Sequence, residues 1–260
     1  MIKEESRFGE STVFEGMTSL RAVLEAHAKG ISDRRILRVL YDTAKEKSKE
    51  KELAYIRHRA KEMGFALVPC SAEEIDRLVT GNSHGGIIAE CTSRTIPALQ
   101  DGLLPANGFA VMIEGIEDPY NFGYALRTIY AAGADTVILT PRNWMSAAGV
   151  VCRSSAGASE LLPLCIGEGV DAVRIARQAG YKIVCAGIRD SVSAFDADLR
   201  RPLLLIVGGE KRGISRALLD EADTVVRLDY GREFRGSLSA ASAASVLAYE
   251  VLRQNRVQYE

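Results

Sequence analysis

Between residues 108 and 228 the sequence alternates short, almost wholly apolar runs with amphipathic ones. That alternation limits the fold more than any other feature of the chain. GFAVMIEGI (108–116) is apolar at successive positions and not at every second one, as expected of a parallel strand buried on both faces. The same reading predicts strands at 109–114, 135–140, 181–187, 203–208 and 223–228, and helices at 121–132, 169–179, 213–221 and 238–254. Strands that alternate with helices in this way predict an α/β fold with a mostly parallel, helix-covered sheet.

Upstream lies a smaller α/β pattern. MTSLRAVLEAHAK (17–29) places Leu20, Val23, Leu24 and His27 at helical spacing, with Gly30 as a stop. ILRVLYD (36–42) reads as a strand, 44–63 as a charged helix ended by Gly64, FALVP (65–69) as a strand, SAEEIDRLV (71–79) as a capped helix and GGIIAEC (85–91) as a strand. KEKSKEKE (45–52) carries both signs and suits a solvated helix face rather than an RNA clamp. Residues 92–108, with Pro97, Gly102, Pro105 and Gly108, read as a linker. At 260 residues the chain is long enough for two modest domains. The expected division is 1–92, a 93–107 linker and 108–260.

Composition excludes more than it selects. A net charge of −1 gives no global sign of nucleic acid, so any RNA binding needs a local basic surface. Five cysteines without a C-x-x-C pair argue against a disulfide framework or a zinc site, and for thiols in a reducing compartment. The charged start MIKEESRFGE is unlike a signal peptide, and no apolar run approaches the ~20 residues that span a bilayer. A cytoplasmic protein without membrane or metal is expected.

Three segments carry candidate chemistry. In EGIEDPYNFGYALRTIYAAGADTVIL (114–139) a buried strand runs through Asp118-Pro119 into a helix bearing Asn121, Gly123 and Arg127. Ligands of open α/β sheets sit beyond strand carboxyl ends, where this turn falls; spacing alone serves equally a capping Asn121 and a solvated Arg127. In LLLIVGGEKRGISRALLDEAD (203–223) a strand meets Gly208, Gly209, Glu210 and Gly213, a G-x-E-x-x-G turn that is neither the dinucleotide G-x-G-x-x-G nor a P-loop. Its glycines let backbone approach a ligand, and a plain strand-to-helix turn fits as well. In VVRLDYGREFRGSLSAASAASVLAYEVLRQ (225–254) a loop with Arg232 and Arg235 leads to Ser237, which also reads as the N-cap of a long helix.

Taken together, in this order, the three segments resemble the signature motifs of the SpoU/TrmH RNA 2′-O-methyltransferases of the SPOUT superfamily. Asn121, Gly123 and Arg127 match N-x-G-x-x-x-R; Gly208, Glu210 and Gly213 match the second motif; Ser237-Leu238 matches the start of the third. SSAGASELLP (154–163) is similar to the family's Ser-x-Gly-Ala segment. The first hundred residues resemble the ribosomal-protein-like RNA-binding domain of many members, ending in NSHGGIIA (82–89), where His84 is either an RNA contact or a turn histidine.

The resemblance implies a SPOUT domain with a deep trefoil knot, S-adenosylmethionine (SAM) as cofactor, a homodimer and an RNA substrate, ribosomal RNA ahead of transfer RNA. It implies SAM binding by Gly208, Gly209, Glu210, Gly213, Leu228, Ser237 and Leu238, catalysis by Arg127 with Asn121 and Ser237, and RNA contact through Arg127, Arg232, Arg235 and His84. The last motif departs from the family pattern: Ser239 stands where Asn is usual, Leu228-Asp229-Tyr230 replaces Ile-Pro-Met, and the loop is about one residue longer. A serine hydroxyl is shorter than an amide and has one donor, not two. That leaves open a member that binds RNA or SAM without turnover, besides an active enzyme. A base-methylating SPOUT enzyme is a further rival. The missing G-x-G-x-x-G speaks against a Rossmann oxidoreductase.

Overall fold

The computed structural model describes residues 12–79, 84–140, 147–209 and 211–256. Along the chain run β1 (Val13–Glu15), α1 (Gly16–Ala28), β2 (Ile36–Asp42), α2 (Glu50–Met63), β3 (Ala66–Cys70), α3 (Ala72–Asp76), β4 (Ile87–Cys91), β5 (Phe109–Glu114), α4 (Pro119–Ala131) and β6 (Thr136–Leu139). There follow α5 (Ala148–Ser154), α6 (Ala158–Leu161), β7 (Leu164–Ile166), α7 (Gly169–Gln178), β8 (Lys182–Ala186), β9 (Val192–Ser193), β10 (Leu203–Gly208), α8 (Arg216–Asp220), β11 (Thr224–Arg227) and α9 (Ala240–Asn255). The chain forms two compact units, 1–95 with 143–161 and 96–142 with 162–260.

The first unit is built on a sheet of order β1-β4-β2-β3, in which only β2 and β3 run parallel. Strand alternation sorts its core. Val39, Tyr41, Ile87 and Ala89 face Leu20, Val23, Leu24, Leu53 and Ile56 of α1 and α2, while Leu40 and Ile88 meet Ile75 of α3 on the opposite face. The expected helix over 44–63 begins later: Asp42 accepts a hydrogen bond from the Ala44 N–H (2.9 Å), starting a single 3-10 turn at 43–45, and α2 follows at Glu50. Gly64, at φ 76°, ends it in the left-handed conformation a glycine C-cap supplies. Ser71 and Glu74 close a reciprocal capping box on α3. Strand β1, three residues long, has no period to read and was not expected.

Residues 147–161, expected with the second part of the sequence, pack instead with the first. Ala148 and Cys152 join the core beside α1 and β4. Glu160 meets the Arg34 guanidinium at 3.1 Å, with both side chains almost wholly buried (4% and 2% exposed). Arg34 also donates to the Thr92 carbonyl (2.7 Å) and lies over the Phe14 ring, and Arg94 donates to the Ser159 carbonyl (2.7 Å). Burial of two charges is tolerated because each is paired and hydrogen-bonded.

The second unit is a seven-stranded sheet of order β7-β6-β5-β10-β8-β11-β9, parallel at every pairing. All five expected strands are present, joined by the short β7 and β9. Ala110, Met112, Leu204 and Ile206 pack with Ala172, Val173 and Ala176 of α7 on one face; α9 packs against β10 and α4. From β5 the chain moves outward to β6 and β7, returns to β8, and then sets β10 between β5 and β8. The order therefore reverses around β5 and β10, the kind of place where open α/β sheets bind ligands.

Candidate active site

Because the sheet is parallel throughout, the strands β5, β10, β8 and β11 all end at one edge. These four are neighbours in the sheet. At about 4.8 Å between strands, the ends of β5 and β11 lie roughly 14 Å apart. The three motif loops, 115–118, 209–215 and 228–239, leave from this edge.

The first two loops are joined through backbone. Gly208 pairs with Glu114 at the ends of β10 and β5, and the Gly209 N–H donates to the Glu114 carbonyl at 2.6 Å. A Cβ on Gly209 would run into the Gly115 carbonyl, and one on Gly208 into the peptide between Gly213 and Ile214. Gly213 sits at φ 63° and returns its N–H to the Gly209 carbonyl at 2.9 Å. Side chains add two ties: the Glu114 carboxylate accepts from the Ser215 N–H (2.9 Å), and Lys211 meets Glu117 (2.7 Å). Glu210 lies outside the described residues.

Helix α4 opens at Asp118, whose carboxylate accepts from the Asn121 N–H at 2.8 Å, with Pro119 in the first turn. Asp118, and not Asn121, is thus the cap; the Asp-Pro dipeptide carried that signal. Asn121 is half-buried and Gly123 buried. Arg127 stands six residues beyond Asn121, roughly 9 Å along the helix at 1.5 Å per residue. It is exposed, and no hydrogen bond or ion pair ties it to the loops among the described residues.

The third loop is held by side chains. Leu228 is half-buried, whereas Ser237 and Leu238 are exposed. At its base Arg227 bonds Asp229 (2.9 Å) and donates to the Ser191 carbonyl (2.6 Å); the Ser193 hydroxyl bonded to Asp229 holds that carboxyl below its usual range. Further on, the Tyr230 hydroxyl accepts from the Leu238 N–H at 3.3 Å, and the Tyr230 and Phe234 rings meet edge to face at 5.4 Å. Arg232 and Arg235 are exposed. The carboxylate nearest Arg235 is Glu233, at 3.9 Å between two open side chains, a pairing that solvent screens.

Helix α9 starts at Ala240, two residues later than expected, because its N-cap is Ser239 and not Ser237: the Ser239 hydroxyl accepts from the Ser242 N–H at 3.1 Å. Serine and asparagine are equally good N-caps. The departure from the family pattern therefore keeps the helix start. His84 is buried in the first unit, where Nδ1 accepts from the Gly86 N–H (3.1 Å) and Nε2 faces Asp76 (3.1 Å). Both ring nitrogens have partners within the first unit, one in the turn itself and one at the end of α3.

The SpoU rRNA Methylase family model matches residues 108–249, more than half of the chain. The chain belongs to this family, and with it to the SAM-dependent RNA methyltransferases. Among curated relatives, the 23S rRNA (guanosine-2′-O-)-methyltransferase RlmB of Shewanella oneidensis is 27% identical over 80% of this chain and 86% of its own length. The RlmB of a Burkholderia species is 26% identical over 93% of this chain and 96% of its own. Among solved structures, an RNA 2′-O ribose methyltransferase superposes with a TM-score of 0.75 at 22% identity, covering 93% of this chain and 88% of its own. The AdoMet-bound rRNA methyltransferase of Sinorhizobium meliloti gives 0.73 at 22% identity, over 93% and 86%. These last two establish likeness of fold. Among the described residues no helix is long and apolar enough to cross a membrane, and no three His, Cys, Asp or Glu gather as a metal site.

Proposed function

We propose that this protein transfers the methyl group of SAM to a ribose 2′-hydroxyl of ribosomal RNA in the cytoplasm, with the large-subunit RNA as substrate. The observation that carries the reading is the convergence of all three motif loops on one sheet edge, beside the reversal of strand order. The RlmB relatives, named for guanosine 2′-O-methylation of 23S rRNA, support the substrate class.

The residues present suit SAM. Gly208, Gly209 and Gly213 form a turn in which backbone alone faces backbone, and Leu228 and Leu238 offer apolar surface for an adenosine. SAM supplies an electrophilic methyl sulfonium, so the protein's part is alignment and help with one proton. Orientation supplies ~7–11 kcal/mol in favourable cases. Guanidinium groups are poor bases and good phosphate ligands. Arg127 accordingly holds the phosphate beside the target ribose and stabilises the alkoxide as it develops. Asn121 and Ser237 line the reaction side, and Arg232 and Arg235 meet RNA backbone. Glu210 belongs to the cofactor set by its place in the motif.

Residues 1–92 serve as the RNA-binding domain, 93–107 as linker and 108–260 as the catalytic domain, apart from the segment 147–161 that packs with the first unit, and the C-terminal motifs are threaded in the family's trefoil knot. The active form is a homodimer. In support, Tyr120 and Tyr124 on α4 are exposed, and Thr128, Phe195, Val246, Tyr249 and Leu252 line an open groove of about 750 Å³. This apolar face includes the side of α4 that bears Arg127.

Transfer of labelled methyl from SAM to unmethylated ribosomal RNA, followed by nucleoside analysis, tests the proposal. A 2′-O-methylated nucleoside from ribosomal RNA is expected. A methylated base, a product only in transfer RNA, or SAM binding with no product would overturn it.

A further inference from the structure

We infer that Tyr230 is a positioning residue for the cofactor: its hydroxyl, by accepting the Leu238 N–H, holds loop 228–239 in the shape that receives SAM. The inference rests on the proposed SAM site.

The loop has little else to hold its tip. Its base is anchored by Arg227, Asp229 and Ser193, and its far end by the Ser239 cap. Between them, residues 229–238 are exposed throughout. Gly231 has open space around it, and Gly236 lies so close under the Phe234 ring that a Cβ there would need the ring to move. Among the described residues, the Tyr230 hydroxyl on Leu238 is the one hydrogen bond that joins the two ends of the loop, and the Tyr230–Phe234 edge contact packs beside it. This is also the stretch that departs from the family pattern, with Tyr230 in place of the usual residue and about one residue more chain to order.

Fixing a backbone costs roughly 1–2 kcal/mol per residue. A ligand that must order a loop itself binds more weakly than one that meets it formed. A single neutral hydrogen bond contributes about 1 kcal/mol, which is about fivefold in a dissociation constant. Loss of the hydroxyl should therefore appear in SAM affinity and not in the chemical step, since the loop once occupied is the same loop.

The test is Tyr230→Phe, which keeps the ring and its edge contact. SAM affinity by calorimetry should fall about fivefold, the KM for SAM should rise in step, and kcat at saturating SAM and the KM for RNA should stay within about twofold. In the SAM-free protein the Leu238 amide should exchange faster in the variant. Phe234→Leu, which keeps the hydroxyl, should weaken SAM binding less. Unchanged SAM affinity, a fall in kcat equal to the fall in kcat/KM, or a larger effect of Phe234→Leu would overturn the inference while leaving the enzyme reading intact. Wild-type protein that takes up no SAM would overturn the site reading itself, and the inference with it.

Discussion

The two units solve the same problem, fixing distant pieces of chain against each other, with opposite chemistry. In the first, residues 147–161 are fastened by charge: Glu160 reaches Arg34 across 126 positions of sequence, and Arg94 takes the Ser159 carbonyl. In the second, the loops after β5 and β10 are fastened by the absence of side chains, with Gly209 against Gly115 and Gly208 against Gly213. A buried ion pair is directional and costly to break by halves. A glycine contact is steric and fails as soon as a methyl group enters. The first holds a segment in register; the second lets two loops close on each other through backbone alone.

The comparison breaks first at Glu160. Glu160→Ala leaves the Arg34 charge buried and unpaired, and should cost about 3–5 kcal/mol of stability by denaturant titration. A loss under about 1 kcal/mol would mean that charge does not fasten this segment. Gly209→Ala should come next, at about 3 kcal/mol, the upper end of overpacking, because the new methyl group meets the Gly115 backbone and not a movable side chain. Its mark is elsewhere: SAM binding should vanish in calorimetry while the first unit keeps its fold. A variant that still binds SAM would deny the glycine cradle its role.

The differences in legibility follow from the same chemistry. Glycine spacing is written in sequence, so Gly208, Gly209 and Gly213 could be singled out together with the strand before them. The five parallel strands were legible because burial on both faces leaves continuous apolar runs. The Arg34–Glu160 pair was not, since neither residue has a neighbour in sequence that announces the other. The short strands β1, β7 and β9, of three, three and two residues, carry no period. The cap of α9 was misplaced by two residues because Ser237 and Ser239 offer the same hydroxyl, and only the bond to the Ser242 N–H distinguishes them. Tyr230 gave no motif at all; its meaning lies in one bond to Leu238.

Smaller effects sharpen the contrast. Ser239→Ala should cost about 1 kcal/mol through the lost cap, whereas Ser239→Asn should be neutral within a few tenths. Thermal melts of both variants check this, and a destabilising asparagine would show that serine does more here than cap. Smallest of all is the effect of thiol chemistry on the folded protein. Burial pushes the Cys91, Cys165 and Cys185 thiols up to about 12, and that of Cys152 upward as well. Only thiolates react, so at pH 8 iodoacetamide should modify half-buried Cys70 at most. In Glu160→Ala, Cys91 and Cys152 should become reactive at lower denaturant than Cys165 and Cys185. Simultaneous exposure of all four would show that the two units unfold as one.

The central claim is a division of labour, in which the loops of the sheet edge hold the cofactor and Arg127, farther along α4, holds the RNA. Arg127→Ala tests it most directly, with SAM titration and methyl transfer measured on the same preparation. The account predicts SAM affinity within about twofold of wild type and transfer to ribosomal RNA reduced about 10²–10³-fold. Near-wild-type transfer, or a matching loss of SAM affinity, would contradict it.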